Sequence, residues 1–203
     1  MDHIEKELEA GRAVILPTET VYGIFAKALD QEAVDYIYEL KRRPRDKALN
    51  LNVADEKTIR IYSKNQPSYL TKLIHSFLPG PLTIILQANE KVPNWIHSGL
   101  DTVGFRIPAH PKTLELIRKY GPLVGPSANL SGHASGTKYR AIVSEFDQVV
   151  PGIEDDDFLT GQDSTILDIS SSKSRILRQG SITKADLLAQ VPELSFEEDE
   201  LPQ

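Results

Sequence analysis

Short apolar runs of strand type alternate along this chain with stretches of helical periodicity, and that alternation limits the fold more tightly than any other feature. AVIL at 13–16, ALNLNVA at 48–54, LTIILQA at 82–88, TVGFRI at 102–107, PLVG at 122–125, STILDI at 164–169 and RILR at 175–178 have the residue types of strands. Between them, residues 3–10 read as a helix closed by Gly11, and residues 30–43 as one capped by Asp30. A helix over 66–78 runs into the breaker PGP, another over 111–120 carries Pro111 in its first turn, and another covers 137–146. The last, 184–190, follows Thr183, with Asp186 three residues on as in a capping box. The pattern predicts an α/β domain of the α+β type, with helices flanking a central sheet.

No internal repeat or linker divides the chain, so we expect one domain over 1–191. PELSFEEDELPQ at 192–203 reads as an acidic, loosely held tail. The absence of cysteine excludes disulfides and thiolate metal sites. The N-terminal MDHIEKELEAGR lacks the apolar core of a signal peptide, and runs such as LTIIL are too short to span a bilayer. These features lead us to expect a cytoplasmic protein with no membrane partner. A net charge of -6 argues against broad, non-specific nucleic-acid binding but leaves room for a local basic pocket.

One such cluster is KRRPRDK at 41–47, with five basic side chains in seven positions. Stepping 100° per residue from Asp30 gathers Ala33, Val34, Ile37, Tyr38 and Leu40 on one side. Lys41 falls near the middle of that apolar stripe. A lysine there either snorkels past the helix end or meets a negative partner in a partly buried place. Pro44 disfavours helix at Arg43, so Arg43, Arg45 and Lys47 ride on the exit loop. The plain alternative is a basic helix end favoured by the dipole.

Polar stretches stand where apolar runs end: PTETVYG at 17–23, PSANLSG at 126–132 and DST at 163–165. In open α/β sheets, ligands bind at strand ends. No G-x-x-x-x-G-K-[ST] or G-x-G-x-x-G occurs, so a nucleotide site here must use side-chain cations and loop donors. Arginine suits that task, because its planar fork grips two phosphate oxygens at once. The five histidines have no metal-ligand spacing, no G-x-S-x-G elbow supports a serine nucleophile, and Asp155–Asp157 reads as an exposed loop.

Taken together and in order, PTETVYG, KRRPRDKAL, PGPLT, VGFRIPAH, GPSANLSG, GQDSTILD and ILRQG resemble the YrdC-like family of threonylcarbamoyl-adenylate synthases. The resemblance runs from about residue 10 to 182 and is closest to the short, single-domain form. It implies an open twisted mixed sheet with one concave, electropositive face. It also implies a nucleotidyl transfer that uses L-threonine, bicarbonate or carbon dioxide, and ATP with Mg²⁺. The products would be threonylcarbamoyl-AMP and pyrophosphate, the adenylate feeding a separate transferase that modifies tRNA adenosine. Lys41 and Arg43 match the family's K-x-R pair, taken as catalytic, and Ser127 with Asn129 match its S-x-N. Arg43, Lys47, Thr102, Ser127, Asn129, Ser135 and Arg178 match the ATP side. Thr20, Tyr22, Asn52, Arg106, Gly125 and Ser164 match the threonine side, and no protein ligand to a metal stands out.

The chain departs from the family pattern at Phe25 and Lys27, where L-G and a later Asp are common, at Ala48 and Asn52, where Pro and His are common, and at Gln179. Asn52 can hydrogen-bond a hydroxyl but cannot titrate near neutrality. The rival reading is a module that binds double-stranded RNA or tRNA on the same basic face without this catalysis; no aromatic stacking motif supports it.

Overall fold

The computed structural model describes residues 2–146 and 149–196. In chain order the elements are α1 Asp2–Glu9, β1 Val14–Leu16, β2 Gly23–Lys27, α2 Gln31–Leu40, β3 Leu51–Asn52, α3 Glu56–Tyr62, β4 Ser63–Lys64, α4 Leu70–Phe77 and β5 Leu82–Ala88. They continue with α5 Asn94–His97, β6 Thr102–Arg106, α6 Pro111–Tyr120, β7 Leu123–Val124, α7 Tyr139–Glu145, β8 Thr165–Asp168, β9 Arg175–Arg178 and α8 Lys184–Gln190.

The strands form one mixed sheet in the order β1-β2-β7-β3-β6-β5-β8-β9, with β4 pairing β5 off this path. β3 with β6 and β5 with β8 run parallel, and the other pairs are antiparallel. Successive strand residues point to opposite faces, and both faces are covered. Val14, Leu16 and Phe25 join Ile4, Leu8, Leu116, Ile117 and Leu123 in a smaller cluster under α1 and α6. Ile15, Ile24 and Ala26 join the main core, which α2, α4 and α8 cover from the other side.

Helix ends follow local chemistry. The Asp30 carboxylate accepts from Ala33 N at 3.2 Å, and Thr183 and Asp186 complete a reciprocal capping box. The α2 helix stops at Leu40, three residues earlier than the sequence reading placed it. Arg43 N donates to Tyr38 O and Arg42 N to Glu39 O, a Schellman turn with Arg42 at a φ of 49° where glycine is usual. The first residues of the expected tail are packed. Leu194 is buried, Ser174 N donates to Ser195 O, and Phe196 bridges to Ser174, while residues 197–203 lie outside the described residues. Among the described residues, no helix is long and apolar enough to cross a membrane.

Candidate active site

Strands β3, β6 and β7 deliver Asn52, Arg106 and Gly125 to one side of the molecule, where the loops before β2 and β8 also converge. There they enclose a cavity of about 270 Å³. Of the residues expected on the ATP side, Arg43, Ser127 and Arg178 line it; of those on the threonine side, Tyr22, Asn52, Arg106, Gly125 and Ser164 do. Three guanidinium groups, arriving from the α2 exit loop, β6 and β9, therefore share one cavity.

Each is aimed by neighbours. Arg43 donates from Nη2 to Ala48 O at 2.8 Å and from Nε to Lys47 O at 3.2 Å, and burial pulls its guanidinium below the usual range. Arg178 donates to the carbonyl and hydroxyl of Ser164, both at 3.0 Å, and its Nη1 lies 3.7 Å from the Asp163 carboxylate. Ser164 Oγ is also 3.0 Å from Thr83 Oγ1. Arg106 Nη2 meets Glu19 Oε1 at 2.6 Å and Thr20 Oγ1 at 2.7 Å, while its buried Nε has no partner. Glu19 Oε2 in turn accepts from Ala109 N at 2.9 Å. A buried guanidinium nitrogen without an acceptor is costly and marks a place for one.

The basic stretch splits. Lys41 is buried at 1% exposure, and its Nζ donates to the carbonyls of Ser127 and Asn129. The lysine does not snorkel, and among the described residues its hydrogen bonds go to no side-chain acid; it holds the PSANLSG loop by two backbone oxygens from behind the cavity wall. Burial, and then the charge of Arg43, push its amine down to about 7, against the pull of Glu145. Arg45 turns to Asp35 and lies over the Tyr38 ring at 4.7 Å. Lys47 is exposed and outside the cavity wall.

Asn129 and Ser135 stand one layer back. Asn129 Nδ2 donates to Leu130 O and His133 O, and Ser135 Oγ donates to Asp163, 3.2 Å away. Thr20 sits behind Arg106. Thr102 is the residue the fold separates from the rest. It pairs with Gln87 at the opposite end of β6 from Arg106, four residues or roughly 13 Å away.

Four participants escaped the sequence reading. Glu19 and Asp163 are the carboxylates beside Arg106 and Arg178, and Asn50 and Thr83 join the lining. Asp155 and Asp156 are also more than exposed loop. Tyr22 OH donates to Asp156 Oδ1 and accepts from Asp155 N, both at 2.8 Å, and Asp155 Oδ2 lies 3.1 Å from Nε2 of the buried His110. These bonds tie Asp155 and Asp156 to Tyr22 of the cavity wall and to His110, and burial raises the Tyr22 phenol well above its usual range.

The Sua5/YciO/YrdC family profile, which carries the description "Telomere recombination", matches residues 6–180. The chain belongs to the Sua5/YciO/YrdC family. It is 38% identical over 177 residues to the threonylcarbamoyl-AMP synthase of Pyrococcus abyssi, covering 86% of this chain and 52% of that protein. It is also 38% identical over 185 residues to the Bacillus subtilis protein of the same name, covering 90% and 54%. Among solved structures of the family, P. abyssi Sua5 complexed with L-threonine superposes with a TM-score of 0.87 at 36% identity, over 95% of this chain and 57% of that one. The chain thus spans about half the length of these relatives.

Proposed function

We propose that this chain is a nucleotidyltransferase that makes threonylcarbamoyl-AMP and pyrophosphate from L-threonine, carbon dioxide drawn from bicarbonate, and ATP. The observation that carries the reading is the convergence of Arg43, Arg106 and Arg178 on one cavity lined by hydroxyl and amide groups.

The unprotonated amine of threonine attacks carbon dioxide, forms the N–C bond and loses a proton, giving a carbamate. A carbamate oxygen then attacks the α-phosphorus, the new O–P bond forms, and the α–β bridge breaks to release pyrophosphate. Arg106 receives the threonine carboxylate through the part of its guanidinium that Glu19 and Thr20 leave free. Arg43 and Arg178 face the phosphate chain, where charge builds during displacement. Cations fixed in advance stabilise that charge better than water, which must reorganise. Holding carbamate and phosphorus in line removes part of the entropic barrier. Lys41 acts by fixing the Ser127–Asn129 backbone and by adding its charge behind it. No covalent enzyme intermediate is required.

Among the described residues no group of three or more metal-ligating side chains gathers. Asp163 is the carboxylate in the cavity wall, engaged by Ser135 and Arg178. This donor set fits a Mg²⁺ ion held mainly by the nucleotide's own phosphates, with Asp163 as the protein group nearest to share it. Bound there, the ion would neutralise phosphate charge. The product is a mixed anhydride, suited to a following acyl transfer, for which tRNA adenosine is the proposed acceptor.

Purified protein should release pyrophosphate from ATP only when both L-threonine and bicarbonate are present. Equal release without threonine would reject the reading. The relatives' shared name favours this enzyme over the RNA-binding alternative.

A further inference from the structure

One wall of the cavity is built from residues that are too close together to vary independently. Phe25 on β2 is fully buried and stands opposite Gly125, next to the Ala26–Val124 pair. Its ring occupies the space where side chains at two neighbouring positions would go. A Cβ on Gly23 would come within 2.5 Å of the Phe25 ring, and one on Gly125 within 2.4 Å of it. The same Cβ on Gly125 would come within 2.8 Å of Asn52 Nδ2. Gly23, Gly125 and Asn52 all line the cavity, and the ring backs them without reaching it. The ring therefore fixes how deep this wall lies, and any substrate group pressed against Gly125 meets backbone that a close-packed aromatic ring holds from behind.

Asn52 completes the wall. Its Nδ2 donates to Leu123 O at 3.4 Å, so Oδ1 is the acceptor the side chain still offers. Asn52 also pairs with Arg106 across β3 and β6, and parallel neighbours in register share a face. A substrate whose carboxylate meets Arg106 therefore has its side chain within reach of Asn52 and the Gly125 wall.

We infer that Phe25 and Asn52 act as a pair that selects the amino-acid substrate: Phe25 limits the length of its side chain, and Asn52 reads its hydroxyl. Phe25 is a positioning residue here, because it acts through Gly23, Gly125 and Asn52. The inference rests on the proposed function and names the determinants of its amino-acid specificity.

The test compares kcat/KM for L-threonine, for L-valine, and for the β-hydroxy amino acid one methylene longer than threonine. A methylene against a closed wall discriminates by roughly 10–200-fold, and a site built around a hydroxyl can reject its absence more strongly still. Phe25→Ala opens space behind Gly125, so the ratio of the longer substrate to threonine should rise at least about tenfold. Phe25→Leu, which keeps most of the core filled, should give a smaller rise and carries the test if the alanine variant does not fold. Asn52→Ala should bring threonine and valine closer together by about tenfold or more. Ratios unmoved in folded variants would overturn the inference. Binding of L-threonine to the wild type, read as a shift in thermal unfolding, separates the failures. A wild type that binds and turns over threonine with unmoved ratios in the variants sinks this inference alone; one that does neither sinks the proposed function and the inference with it.

Discussion

The exit turn of α2 and the far end of β6 both bring cations to the same cavity, but they hold them by different means. At the α2 exit, Lys41 and Arg43 donate to backbone carbonyls of Ser127, Asn129, Lys47 and Ala48. A carbonyl is a dipole, so it orients a cation without cancelling its charge. At the end of β6, Arg106 meets the Glu19 carboxylate at 2.6 Å, and the pair is close to neutral. The first region keeps a net positive field, which suits a polyanion such as a triphosphate. The second is charge-balanced and supplies geometry instead, which suits a small zwitterion. On the proposed function, the means of holding a cation sorts the cavity into a phosphate region and an amino-acid region.

The sharpest way to break this contrast is Lys41→Ala. It removes a charge near the phosphate region and leaves two loop carbonyls without their donor. Turnover should fall by roughly a hundredfold or more, the cost of losing one preorganised group. Stability should fall by about 1–3 kcal/mol, measured by chemical denaturation, because the carbonyls of a buried loop go unmet. Turnover close to wild type would mean that the α2 exit is only a structural brace.

Glu19→Gln tests the other region with a smaller effect. The carboxylate satisfies two donors with two oxygens, Arg106 Nη2 and Ala109 N. An amide keeps one acceptor and turns a donor toward the second. Arg106 then loses its aim, and the KM for L-threonine should rise about tenfold, as expected for a weakened charged hydrogen bond. The KM for ATP should stay within about twofold on the same scale. A threonine KM that falls instead would show that Glu19 supplies charge balance and not orientation.

Both regions were partly legible in the sequence, for reasons that differ by element. β5 and α6 have the bounds that LTIILQA and Pro111 announce, because a run between breakers and a first-turn proline are local signals. β2 was missed. GIFAK is buried on both faces, so it lacks the polar alternation that identifies a strand. The α3 helix was missed although Asp55 caps it through Thr58 N, since seven residues hold too little periodicity. In the site, motif positions placed Arg43, Arg106 and Arg178 together, but Glu19 and Asp163 read as loop polar residues, because counter-ion pairing between separate elements, across 87 positions for Glu19 and Arg106, leaves no local mark. Thr102 shows the reverse: a match by position does not say which end of a strand lines the cavity, and Thr102 stands at the end of β6 away from Arg106.

The mildest test uses the depressed amine of Lys41. The unfolded chain titrates near the ordinary lysine value of about 10.4, whereas burial and Arg43 set the folded value to about 7. Between these values the unfolded state holds a proton that the folded state lacks, so stability rises with pH across that window. Below pH 7 both states are protonated and this dependence disappears. The slope cannot exceed about 1.4 kcal/mol per pH unit. Lys41→Met has no such proton, so the wild type should gain stability relative to it between roughly pH 7.5 and 9, with no gain between roughly pH 5.5 and 6.5. Activity should move the other way. A neutral Lys41 withdraws charge from the phosphate region, so kcat/KM for ATP should fall as pH rises through 7. If the stability difference stays flat up to pH 9, the carbonyls of Ser127 and Asn129 are holding the amine protonated. The α2 exit would then keep its full charge at every working pH, and the contrast with the neutral Arg106–Glu19 pair would be larger than the amine's depressed value implies.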